Sequence, residues 1–326
     1  MNLNLNFNSM LFLYSMSVGI LLSLSSNNWL MIWIGLEISM MSIMPLMAIK
    51  SPFSSESCLS YFIVQSISSS LMMLGMLLMI GNSNFDFLLI MSLSIMIKVG
   101  AAPFHIWMLQ IVETMNWMMM FLILSVIKIA PMNMLSYISI KLNMLSMVCL
   151  MVGSILGLAQ NSIRKILVYS SIFNLGFLIS SISMNSVWMT YFLIYTMSLI
   201  FIMMPLNKMN ITYINQIILN EKTNLSKINI FVIMISMGGM PPMLGFLGKL
   251  MVIELLMSMK EFMVMLFMIL SSMVVMFFYM RLSFLSSLFS SIMISTQVFK
   301  TLKISFWMLL MNLLFMPVIF TLKCLN

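Results

Sequence analysis

Apolar residues run in blocks of about twenty, the length of a membrane-crossing helix, and short polar stretches punctuate them. Laid along the chain, that ruler predicts eleven spans: near 7–26, 29–49, 58–80, 87–112, 117–139, 142–160, 165–183, 186–204, 228–259, 261–286 and 303–323. The connections are short except for a polar stretch at about 205–227. The pattern predicts an all-α, polytopic membrane helix bundle. Residues 1–326 read as a single transmembrane domain without a linker.

Two of the predicted spans are too long for one crossing and carry helix breakers. Lys98-Val99-Gly100-Ala101-Ala102-Pro103 interrupts the fourth, and Gly238-Gly239-Met240-Pro241-Pro242 interrupts the ninth. Proline removes an amide donor and clashes with the preceding turn, while glycine frees the backbone. Unwound backbone at membrane depth survives only inside protein or beside a water-filled cavity. Two such segments, one in each half, point to a transporter built from inverted repeats.

Composition strengthens the membrane assignment. The chain is 62% hydrophobic and only 7% charged, where a soluble domain carries about a quarter charged residues. The first apolar run lacks a preceding Lys or Arg and an A-x-A-like cleavage site, so it is expected to be a retained first span. The 47 methionines are apolar and flexible enough to replace leucine in lipid. A coding bias like that of animal mitochondrial genomes is the simplest cause.

Net charge is +8, but the basic residues are scattered and form no aromatic-interleaved patch, which argues against nucleic acid as a partner. They do set topology. Lys50, Arg164, Lys165, Lys208, Lys222, Lys227, Lys300 and Lys303 fall on one side, with Arg281 near a helix end, against Lys141, Lys260 and Lys323 on the other. By the positive-inside rule the N-terminus is expected on the positive side, the matrix if the protein is mitochondrial, with the C-terminus opposite. Cys58, Cys149 and Cys324 have no metal-ligand spacing and read as packing residues. With a single histidine they cannot build a haem, zinc or iron–sulfur site. The segment GFLGKL is not a phosphate loop, because Met243 stands where a glycine is needed and Leu250 follows the lysine.

Four ionisable residues lie deep within apolar spans: Glu37, Lys98, Lys128 and Lys249. Each costs about 2.5–3.5 kcal/mol at mid-membrane, so the four would cost on the order of 10 kcal/mol if unpaired. Desolvation disfavours the charged form of each, bringing both lysine and glutamate toward proton exchange near neutral pH. They read as a proton relay, with Glu37 and Lys98 as a candidate pair. Lys98 ends a half-helix, where the macrodipole favours a cation; Lys249 lies in the second turn of its half-helix, where its own dipole gives no such help. Lys128 precedes Pro131 by three residues, and the missing proline amide frees the Ile127 carbonyl. His105, just after the first break, is either a satisfied polar residue or a proton shuttle. Glu113, Glu254 and Glu261 lie near helix ends and read as interfacial, while Glu56, Asp86 and Glu221 read as loop charges.

The motifs WIGLE at 33–37, KVGAAPFH at 98–105, KIAPM at 128–132, SIRKILVYSSI at 162–172 and GGMPPMLGFLGK at 238–249 together resemble the antiporter-like membrane subunits of respiratory NADH:ubiquinone oxidoreductase, complex I. The resemblance covers most of the chain. It implies a proton path through Glu37, Lys98, Lys128 and Lys249, in a shortened animal form with eleven spans. It also implies a place in the mitochondrial inner membrane and partnership with other membrane-arm subunits, neighbouring antiporter-like subunits and lipids such as cardiolipin. No cofactor is expected in this chain; NAD, FMN, iron–sulfur clusters and ubiquinone are expected in other subunits. Two departures stand out. Asn174 occupies a frequent histidine position, which puts proton exit along that helix in doubt, and Glu254 replaces a usual glutamine. An Mrp-type cation/proton antiporter subunit shares the broken helices and lysines. A non-pumping membrane-arm scaffold would need the charges only for packing.

Overall fold

A computed structural model describes residues 7–48, 52–81, 86–138, 142–219, 224–241 and 243–288. The predicted span 303–323 lies outside them, as do Lys50, Lys141, Glu221, Lys222, Pro242, Lys300, Lys303, Lys323 and Cys324. The chain divides into two compact units, Met1–Lys141 and Leu142–Asn326. Unit 1 comprises α1 (Phe7–Ser25), α2 (Trp29–Met47), α3 (Pro52–Gly81), α4 (Asp86–Val99), α5 (Ile106–Thr114), α6 (Trp117–Leu124) and α7 (Ile129–Tyr137). Unit 2 comprises α8 (Asn143–Leu158), α9 (Ile163–Ser181), α10 (Asn185–Met209), α11 (Ile214–Leu219), α12 (Asn224–Gly238), α13 (Leu244–Ser258) and α14 (Phe262–Leu288). Among the described residues, seven helical segments are long and apolar enough to cross a membrane by themselves.

Small residues let the helices approach closely, as membrane helices require. A Cβ on Gly35 of α2 would lie 2.7 Å from the Gly19 carbonyl of α1, and one on Gly153 of α8 would lie 2.6 Å from the Phe173 amide of α9. Helix α9 is buried along almost its whole length, whereas α1, α3 and α14 leave large apolar side chains such as Tyr14, Leu77 and Met273 exposed. Those faces suit lipid. Serine is tolerated in such helices because its hydroxyl returns to the helix's own backbone. Ser39, Ser94, Ser171 and Ser198 each donate to the carbonyl three residues earlier, at 2.7–2.8 Å.

Both predicted breaks form, and they open with the same device. Gly100 has φ +74° and Gly239 φ +85°, conformations that glycine alone adopts without strain. At the first break the Gly100 amide donates to Ile97, Ala101 to Met96 and Phe104 to Ala101. At the second, Gly239 donates to Ser236, Met240 to Ile235 and Met243 to Met240. The offsets are identical: a left-handed glycine cap that satisfies the last carbonyls of the half-helix, followed by one tight turn.

Three features differ from the sequence expectation. The fifth predicted span is itself interrupted: a 3-10 turn, Val126–Lys128, separates α6 from α7, and the Ser125 hydroxyl donates to Phe121 at 2.6 Å. Pro131 then falls in the first turn of α7, where its missing amide would have had no helical partner. Helix α10 continues through Pro205 to Met209 and stops at Asn210, which takes the left-handed conformation at φ 52°. The predicted polar connection after it is not wholly irregular, since it contains α11 and the start of α12.

Candidate functional site

In unit 1, α2 and α4 bring Glu37 and Lys98 together. Lys98 Nζ lies 3.6 Å from Glu37 Oε1, a charge contact slightly longer than a hydrogen bond. The lysine side chain is almost fully buried, and the carboxylate side chain keeps 19% of its surface exposed. Lys98 stands in the last turn of α4, so the helix dipole and the carboxylate both favour its cation. From α3, Gln65 donates to the Lys98 carbonyl at 3.4 Å, satisfying one of the acceptors that the end of α4 leaves open. Tyr61, also on α3, is buried within electrostatic range of Glu37 and packs its ring 5.8 Å from that of Trp107.

Lys128 is 2% exposed and ends the 3-10 turn that leads into α7. Helix α7 packs against α1, α2 and α4, so the segment bearing Lys128 adjoins the helices that carry Glu37 and Lys98. His105 caps the start of α5; its Nδ1 lies 3.1 Å from the Pro103 carbonyl, within the break itself.

Lys249 belongs to unit 2 and corrects one expectation. It does sit in the second turn of α13, but its side chain reaches back across the break and donates to the Gly238 carbonyl at 2.7 Å. That carbonyl belongs to the last residue of α12. The C-terminal dipole of the preceding half-helix therefore supports the cation, and the contrast expected between Lys98 and Lys249 is largely removed. Glycine at 239 makes the reach possible: a Cβ there would stand 2.8 Å from Nζ and 3.1 Å from Cε. Nζ also lies 5.3 Å from the centre of the Phe173 ring on α9, over its face. Asn174, the next residue, accepts a 2.8 Å hydrogen bond from Tyr191.

Glu254 on α13 and Glu113 at the end of α5 are exposed, and Glu261 is partly so. Among the described residues, no group of three His, Cys, Asp or Glu side chains could hold a metal ion. The sequence pointed to the charges but not to the groups beside them: the Gly238 carbonyl at Lys249, Gln65 at the Lys98 carbonyl and Tyr61 near Glu37. A lone amide or phenol in an apolar span was the available signal. A backbone carbonyl left open by a helix break gives none.

A sequence profile described as NADH:quinone oxidoreductase/Mrp antiporter, transmembrane, matches residues 26–275. The chain is 38% identical over 275 residues to NADH-ubiquinone oxidoreductase chain 2 of Anopheles gambiae, covering 78% of this chain and 79% of the relative. With the chain 2 of Locusta migratoria it shares 38% over 266 residues, covering 77% of each. Its fold matches a chain of respiratory complex I from Thermus thermophilus with TM-score 0.81 and 20% identity, over 86% of this chain and 71% of that one. A chain of the Mrp complex from a Dietzia species matches with TM-score 0.71 and 13% identity, over 84% and 59% respectively.

Proposed function

This chain belongs to the NADH:quinone oxidoreductase/Mrp antiporter transmembrane family, and on that footing we propose that Glu37, Lys98, Lys128 and Lys249 relay protons within it. The protein is a multi-pass membrane subunit of NADH-ubiquinone oxidoreductase and takes part in proton translocation. The observation that carries the relay is the Glu37–Lys98 contact at the first break, matched by Lys249 at an identically capped second break. Moving the carboxylate away from Lys98 removes the attraction that holds a proton on Nζ. Restoring it recaptures one. His105 stands beside the first break as a further candidate carrier.

In this reading the chain forms one antiporter-like domain of about eleven spans, its two broken helices being counterparts in an inverted repeat. It lies in the mitochondrial inner membrane among other membrane-arm subunits, with cardiolipin-type lipids on its apolar faces. NAD, FMN, iron–sulfur clusters and ubiquinone belong to other subunits. An Mrp-type role is less favoured, because the chain 2 relatives share 38% identity with this chain and the Mrp structure 13%.

The decisive measurement uses the assembled complex in proteoliposomes. Lys249→Met is expected to lower the protons moved per electron pair, or the coupled turnover, with assembly unchanged. Wild-type values for both would overturn the relay. Sodium-dependent proton exchange by the isolated chain would favour the antiporter alternative instead. Orientation has its own test: a cysteine at exposed Asn161, beside Arg164 and Lys165, should react with a membrane-impermeant maleimide from the matrix side, above the background of the native cysteines. Reaction only from the opposite side would reverse the topology.

A further inference from the structure

Arg281 has no part in the relay, yet its depth in the bundle is well defined. Helix α14 begins at Phe262, directly after Glu261, and Arg281 follows nineteen residues later (281 minus 262), about 28 Å along at 1.5 Å per residue. The hydrocarbon core is about 30 Å thick, so the guanidinium emerges at the headgroup level of the far leaflet. Leu266, Leu270, Met273 and Phe277 precede it in steps of three and four, and Phe284 follows by three. Such steps keep all six residues on one helix face. The five apolar members are each more than half exposed, and Arg281 is exposed as well. This face is a hydrocarbon stripe that ends in a cation.

Around Arg281 the fold builds a pocket of about 260 Å³, lined by Asn161, Tyr213, Ile214, Asn215, Arg281 and Leu285. Backbone bonds hold its wall. The Ile163 amide donates to Thr212 at 3.0 Å and Ile214 to Asn161 at 3.2 Å, pairing the α8–α9 connection with the α10–α11 connection. Gln216 Oε1 accepts from the Thr212 and Tyr213 amides and fixes the second of these. Arg281 Nη1 donates to the Leu158 carbonyl at 3.4 Å, which anchors the guanidinium with only one of its five N–H donors. Arg164 and Lys165 add positive charge in the first turn of α9. The acids described in unit 2, Glu254 and Glu261, lie near the end of α13 and just before α14, at the opposite end of α14 from Arg281.

We propose that this pocket binds the phosphate headgroup of one anionic phospholipid, whose acyl chains lie along Phe277, Met273 and Leu270. Guanidinium pairs with phosphate through two parallel N–H bonds. The Asn161 and Asn215 amides and the Tyr213 hydroxyl serve the remaining phosphate and glycerol oxygens, and tyrosine is at home at this depth. A basic pocket at the membrane surface selects a net-negative headgroup over a zwitterionic one. Free phosphate would use the pocket alone and leave the stripe below it idle. The site deepens, and rests on, the reading that lipid covers the apolar faces.

The test uses the assembled complex in phosphatidylcholine nanodiscs, doped with a phosphatidylglycerol that carries a photoreactive diazirine in one acyl chain. Labelled peptides are mapped by mass spectrometry. Labelling of α14 between Leu266 and Phe284 should saturate, and unlabelled phosphatidylglycerol should displace it while inorganic phosphate should not. Arg281→Gln should raise the half-saturating lipid fraction about tenfold, equivalent to roughly 1.4 kcal/mol of binding. The exposed faces of α1 and α3 should label in proportion to lipid in both proteins. Labelling of α14 that never saturates and ignores Arg281→Gln would mean bulk lipid only and overturn the proposal. Displacement by inorganic phosphate would make it a free-anion site instead. If α14 stays unlabelled while α1 and α3 are labelled, protein covers the stripe and the site fails alone; if none of the three is labelled, the reading of lipid on the apolar faces fails with it. Should Arg281→Gln not assemble, Asn215→Asp sets a negative charge at the exposed rim and must raise the half-saturating fraction, an unchanged value overturning the proposal.

Discussion

Glu37→Ala is expected to destabilise the subunit more than removal of both charges of its pair. Lys98 is almost fully buried and sits 3.6 Å from the carboxylate. Deleting one partner of a buried ion pair strands the other, at a cost of about 3–5 kcal/mol, whereas replacing both by apolar groups of similar volume is often neutral. The α4 dipole and the partial exposure of Glu37 soften the loss but do not supply a counter-charge. Thermal unfolding of the purified complex should therefore rank Glu37→Ala below the double variant Glu37→Leu/Lys98→Met, with the double variant near wild type. Proton pumping should fall in both. A double variant that is stable and pumps normally would show that the pair serves packing alone. Equal stability of the single and double variants would show that the two charges do not interact.

Gly239→Ala is expected to reproduce much of the Lys249→Met phenotype although it removes no charge. The position combines two constraints: φ is +85°, which strains any other residue, and an added Cβ would stand 2.8 Å from Nζ. Lysine has a flexible stem and would give way. It would then lose the 2.7 Å bond to Gly238 and with it the support of the α12 terminus. Coupled turnover should drop by roughly an order of magnitude, consistent with loss of one charge-assisted hydrogen bond of about 1.5–3 kcal/mol, while the charge remains in the chain. Gly81→Ala is the matching control, since an added Cβ meets nothing within 4 Å there. If Gly239→Ala matches that control in turnover, the contact between Lys249 and the broken helix has no part in pumping.

Much of this site is legible in one dimension because the membrane simplifies the code. A block of twenty apolar residues has few folded alternatives; Glu37, Lys98, Lys128 and Lys249 stand out against it as departures that need a reason. The glycine and proline runs at 98–103 and 238–242 announce the two breaks equally plainly, since no continuous helix accommodates them. The interruption before Lys128 is harder to see. Pro131 signals freed backbone, but the 3-10 turn depends on how Ser125 turns its hydroxyl to Phe121.

Sequence alone thus determined the class of fold, the two breaks and the four charges, because each follows from local composition against a uniform apolar solvent. Tertiary structure decided which charges meet and what stands behind them. Glu37 and Lys98 are 61 residues apart (98 minus 37), and only the packing of α2, α3 and α4 sets their distance. Lys249 looked unsupported by its own helix, yet it draws on the terminus of the preceding one through a carbonyl that any residue could have supplied. Tyr195 and Tyr279 are aromatics in apolar helices whose burial, at 4% and 1% exposed, is set by the packing of the fold. Backbone acceptors and side-chain directions are properties of a packed neighbourhood, and a linear pattern of polar and apolar residues does not contain them.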